Sequence, residues 1–240
     1  MQMRVENLNI NSVLICTPAK VASASFLESI RHLFPESIYH RHSLKELKHT
    51  IENKENTLII SGIRNPLDRN ISYFFQHYWV EIENDFRTLE NNYEGELCYV
   101  MPREELLETS TLKLIDLYFE HQNHYSFNEW FYEFFEITNI FDTEFDKDNG
   151  IKIYSLPNNN YLMLYVYEKL PVYQNFVKSF FNIEKFKHMN NSSALLHKHK
   201  YKSFKNAIVL NEEYKTKLLK TSIMKYFYTD EQIKKFFEKY

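Results

Sequence analysis

After the apolar run SVLI, the chain continues CTPAKVASASFLESI over residues 16–30, a lysine set among small residues at the entrance to a helix-like segment. If the run is a strand and the helix begins near Val21, Lys20 stands at the strand-to-helix turn. The N–H groups of Val21, Ala22, Ser23 and Ala24 then point at one spot beside the positive end of the helix dipole. Ser23 and Ser25 add hydroxyl donors, and small side chains let an anion come close. The stretch contains no glycine, and the nucleotide-triphosphatase pattern G-x-x-x-x-G-K-[ST] is absent. A helix start capped by Thr17 or Ser23 is the alternative reading of the same residues.

Two further segments carry chemistry. In ISGIRNPLDRNISYFF, residues 60–75, Arg64 follows an apolar run, Asn65 and Pro66 open a helix, and Arg69 and Ser72 lie along it. A planar guanidinium fork suits a phosphate dianion. In YHRHSL, residues 39–44, His40 and His42 sit two apart at the end of another apolar run, hence on one face of a strand. Imidazole suits proton abstraction near neutrality; His42 is the first choice for a base and His40 the second. Histidines that merely flank a strand are the alternative.

Other groupings are weaker. His121 with His124, and His197 with His199, lack a Cys or carboxylate at a familiar metal spacing, so no metal site is expected. Asp142, Glu144, Asp146 and Asp148 read as a solvated loop, and the Tyr/Phe stripe over 125–135 reads as core. Cys16 ends an apolar run and reads as an inert core thiol. With Cys98 as the only other cysteine, no disulfide framework is expected, and a reducing compartment fits.

The spacing R-x-P-x-x-R-x-x-S-x-[YF], filled by Arg64, Pro66, Arg69, Ser72 and Phe74, resembles the sulfotransferase superfamily, whose donor is 3′-phosphoadenosine 5′-phosphosulfate (PAPS). The first loop is similar to that family's 5′-phosphosulfate loop through Lys20, Val21, Ala22, Ser23, Ser25 and Phe26. Pro18 lies one residue early, and Ala24 replaces the usual hydroxyl-bearing residue. FDKDNGIKIY, YLMLYVYEKL and the tail KTSIMKYFYTDEQIKKFFEKY resemble segments of bacterial proteins linked to capsular polysaccharide synthesis. Those relatives commonly carry R-x-E-D-L; here Glu168 and Leu170 match, Tyr165 or Tyr167 stands for the Arg, and Lys169 stands for the Asp. The resemblance implies a P-loop-containing sulfotransferase-like fold and a cytoplasmic enzyme. It would move a sulfuryl group from PAPS to a carbohydrate hydroxyl and release PAP. Lys20 and residues 21–25 would hold the 5′-phosphate, Arg64 and Ser72 the 3′-phosphate. Two other readings stand beside it: a non-catalytic nucleotide-binding assembly partner, and a kinase with a degenerate phosphate loop.

These residues need elements to hold them. SVLICT (12–17), SIYHRH (37–42) and TLIISGI (57–63) read as buried strands. KVASASFLESIRHLF and SLKELKHTI read as the helices between them. The alternation predicts an α/β fold with a central, mainly parallel sheet. IKIYSL (151–156) and YLMLYVYEKL (161–170) extend the sheet. Helices are expected over 103–119, 125–138, 171–182, 212–227 and 230–239, with a basic loop at 188–205. No repeat or linker divides the chain, so residues 1–240 are expected to form one domain.

Composition narrows the function classes. A net charge of −3 argues against a general nucleic-acid binder. Charge is uneven: residues 81–96 are acid-rich, whereas 185–211 contain lysines and no acidic residue. No secretory leader and no run near the roughly 20 apolar residues of a spanning helix is seen, so any membrane association would be peripheral.

Overall fold

The computed structural model describes residues 4–77, 107–121, 123–189 and 198–240. The acid-rich stretch, Cys98 and residues 103–106 lie outside the described residues. Five strands, β1 (Ser12–Cys16), β2 (Ile38–Arg41), β3 (Thr57–Ile63), β4 (Ile151–Ser155) and β5 (Tyr161–Val166), form one sheet in the order β2-β1-β3-β5-β4. β1, β2, β3 and β5 run parallel, and β4 is antiparallel to β5. The expected α/β architecture with a mainly parallel sheet is therefore present.

Strand periodicity divides the core in two. Val13, Ile15, Leu58, Ile60, Met163 and Tyr165 face one side, packed on Phe26 and Ile30 of α1 (Ser23–Ile30) and on Tyr173, Val177 and Phe180 of α6 (Leu170–Phe181). Leu14, Cys16, Ile59, Ile63, Leu162 and Leu164 face the other side. That face packs on α2 (Leu44–Asn53), α3 (Pro66–His77), α4 (Thr111–His121) and α5 (Ser126–Thr138). It also meets α7 (Lys198–Ala207), α8 (Glu212–Leu219) and α9 (Ser222–Phe227), while α10 (Asp230–Glu238) lays Ile233, Phe236 and Phe237 against it. Among the described residues, no helix is long and apolar enough to cross a membrane.

Three expectations are corrected. YLMLYVYEKL is a strand only to Val166; a 3₁₀ turn over Tyr167–Lys169 then leads into α6. The stretch 212–227 is two helices, because the Thr221 hydroxyl accepts from the Met224 N–H and starts α9 afresh. Part of the basic loop is the helix α7, anchored by fully buried Phe204 against Phe74, Phe75 and Tyr118.

Candidate functional site

Because β1, β2 and β3 run parallel, their carboxyl ends share one sheet edge, where open α/β sheets bind ligands. The loop after β1, the turn after β3 and the end of β2 bring Lys20, Arg64 and His42 to that edge.

The loop shows how it manages without glycine. Among the described residues, eight non-glycine positions have positive φ, and six of them are asparagine. The other two are Lys20 (φ 74°) and Ala22 (φ 70°). Asparagine tolerates the left-handed region; Lys and Ala bear about 1–2 kcal/mol each there. The backbone strain is thus concentrated where a phosphate loop would place its glycines, and such strain clusters at ligand clamps. The helix α1 starts at Ser23, two residues later than expected near Val21, because left-handed Ala22 precedes it without a side-chain cap bond.

Buried neighbours hold the loop. The Tyr165 hydroxyl donates to the Val21 carbonyl at 2.8 Å, and its ring stacks on Phe26. Tyr165 reaches there by lying over Gly62, its partner on β3: a Cβ at Gly62 would fall 2.2 Å from the ring. Only glycine allows that crossing. Val21 itself is fully buried, so its backbone N–H is what it can offer a ligand. Ser23 is buried, and the Ser25 hydroxyl accepts from the Met189 N–H at 3.0 Å while Ser29 accepts from Lys187 at 2.7 Å. Those two serines fasten the 187–189 strand of chain across α1.

Two arginines brace the loop from β3. Arg64 Nη1 donates to the Lys20 carbonyl at 3.2 Å, and its guanidinium lies 4.4 Å over the Tyr167 ring. Its Nε is buried and, among the described residues, has no hydrogen-bond partner. Arg69, in the first turn of α3, donates from Nε to the Ala19 carbonyl at 3.3 Å and packs on Tyr73 and Phe127. Burial first, then the charges of Arg64 and Arg69, lowers Lys20 to about 8. Three cations converge on one loop, and an anion placed there would relieve their repulsion. Ser72 is half-buried two turns into α3 and, among the described residues, makes no hydrogen bond with Arg64.

The β2 end is built differently. His42 Nδ1 lies 2.6 Å from the Thr17 carbonyl, so Nδ1 carries the proton and Nε2 of the neutral ring is the acceptor. That is the tautomer a general base requires. His40 stacks edge-on at 4.9 Å, its Nε2 buried without a partner among the described residues; burial, His42 and Arg41 lower it to about 4. Trp130 Nε1 donates to the His42 carbonyl at 3.3 Å, tying α5 to this end.

Sequence reasoning passed over several supports. Glu168 accepts from the Asn65 N–H at 2.8 Å and from the Tyr228 hydroxyl at 2.8 Å; burial raises its carboxyl despite those bonds. Its signal was the surviving Glu of the R-x-E-D-L-like strand. Tyr165 and Tyr167, read there as departures, support the loop and Arg64 instead. Cys16 is buried and pushed up to about 12 by burial, an inert thiol as expected. His124 is buried with Nδ1 against the Tyr214 hydroxyl, and burial lowers it to about 4, a core histidine. Among the described residues, no group of three or more His, Cys, Asp or Glu is arranged to hold a metal. No known family model, curated protein or solved structure matches this chain.

Proposed function

We propose that the chain is a PAPS-dependent sulfotransferase with a carbohydrate hydroxyl as acceptor, acting in the cytoplasm in surface or capsular polysaccharide synthesis. The observation that carries it is the convergence of Lys20, Arg64 and Arg69 on a left-handed loop at the sheet edge. The fold is then of the P-loop sulfotransferase kind. Arg64 Nε, a buried donor without a partner among the described residues, would fit a 3′-phosphate oxygen, and Ser72 would add a hydroxyl. The acceptor sugar and the capsular setting come from the sequence resemblance.

Sulfuryl transfer, like phosphoryl transfer, is mostly positioning and charge stabilisation. As the acceptor oxygen bonds to sulfur, the bond from sulfur to the 5′-phosphate oxygen breaks. Lys20 and the N–H groups of residues 21–24 meet the charge that grows on that leaving oxygen, the Ser25 N–H being bonded at 3.0 Å to the Ala22 carbonyl instead. His42 Nε2 takes the acceptor proton, and PAP leaves.

Thermal denaturation with PAP, AMP and ATP tests the reading. PAP at about 100-fold over its Kd should add roughly 2.7 kcal/mol, with far less from AMP or ATP. Equal stabilisation by AMP would overturn the 3′-phosphate assignment.

A further inference from the structure

Resting on that reading, we propose that Lys239 and Tyr240 are positioning residues of the donor site, acting through Asp68 on the turn that carries Arg64. Asp68 lies between Arg64 and Arg69 in sequence and is 8% exposed. Its Oδ1 accepts from Lys205 Nζ at 2.9 Å, Lys239 Nζ at 2.9 Å and the Tyr240 hydroxyl at 2.7 Å. Its Oδ2 accepts from Lys239 Nζ at 2.7 Å and from Asn65 Nδ2 at 3.1 Å.

Asn65 is the residue directly after Arg64, and it is held from both ends. Its side-chain amide goes to Asp68, its Oδ1 accepts from the Leu67 N–H, and its own N–H goes to Glu168. Glu168 takes its other bond from Tyr228, at the junction of α9 and α10. The buried Asp68 carboxylate and the half-buried Glu168 carboxylate thus grip Asn65, and each takes another of its bonds from residues 228–240. A buried carboxylate gripped by several donors holds one geometry, and removing donors frees it. The segment 228–240 is a strut: it sets where the Arg64 fork points, although it touches neither Arg64 nor the loop through these bonds.

The test uses the full chain, as wild type, as the double variant Lys239→Met/Tyr240→Phe, and as Lys239→Arg. Amide hydrogen exchange is read at Asn65, Leu67 and Arg69 and at the β1 and β3 amides, and PAP affinity by calorimetry. In the double variant, the turn amides should exchange at least about tenfold faster while strand protection holds, with PAP affinity down about tenfold. Lys239→Arg, which keeps the donors, should leave both at wild-type values. Wild-type exchange at Asn65 in the double variant overturns the strut. If the double variant loses strand protection, the single Tyr240→Phe carries the same readouts and the same two outcomes. A wild type that binds no PAP overturns the donor reading, and exchange at Asn65 then decides the strut alone.

Discussion

At the ends of β1 and β3 every guanidinium is tied down: Arg64 to the Lys20 carbonyl and Tyr167, Arg69 to the Ala19 carbonyl, Tyr73 and Phe127. One strand over, at the end of β2, His42 is exposed and its ring is held by a bond to the Thr17 carbonyl. The first region crowds like charges and strains its backbone, so it keeps its shape only if the surroundings over-determine it. Under the proposed function the second would admit a substrate and take up its proton, a role that a fixed tautomer and an open ring suit. Preorganised charge and accessible base call for opposite amounts of scaffolding.

Variants can break that contrast. The largest effect is expected from His42→Ala: turnover should drop about 100- to 10,000-fold with PAP affinity nearly unchanged, since the ring belongs to the open region. Steady-state rates with PAPS and a panel of glycans, phenols and peptides measure this. An active His42→Ala beside a dead His40→Ala would move the base two residues back, and transfer to phenols alone would remove the sugar assignment.

Lys20→Ala should come next. Folding should survive, because the lysine is half-exposed in a loop, while turnover falls on the order of 100-fold. Near-normal turnover would reduce the loop to a strained helix start.

A smaller effect concerns protons. With Lys20 lowered to about 8, PAP affinity should fall as pH rises beyond 8, because free Lys20 sheds a proton that it retains beside the bound anion. The sign for stability is the reverse. The unfolded chain holds that proton up to about 10.5, so between 8 and 10.5 raising the pH relieves the native cluster and favours folding. Calorimetry in buffers of differing ionisation enthalpy should show proton uptake on binding. A flat profile would detach Lys20 from the ligand.

Smallest of all, Ala22→Gly should stabilise the protein by up to about 1 kcal/mol, because relief of left-handed strain exceeds the entropy glycine adds to the unfolded chain. Urea midpoints would show it. A clear loss would mean that Ala22 is not strained.

Much of the scaffold was legible. Short β-branched, apolar runs marked all five described strands, and β3 matched its expected bounds, 57–63, because buried parallel strands are continuous β-branched runs flanked by turn residues. The lysine after β1 and the arginines after β3 were visible as motifs. The helix over 198–207 was hidden under its lysines, since Tyr201 and Phe204 are a thin apolar signal until Phe74, Phe75 and Tyr118 supply a surface to bury them.

By itself, then, the sequence determined which segments are strands, that they alternate with helices, and which charged residues stand at strand ends, because these follow from local periodicity and capping chemistry. Only the tertiary structure decided what those residues touch. Asp68 meets Lys239 across 171 positions, Met189 meets Ser25 across 164, and Glu168 meets Asn65 across 103. No local pattern encodes such partners. They are chosen when two sheet faces and their helices pack, and each buried carboxylate or hydroxyl must find whatever donor the packing leaves within reach.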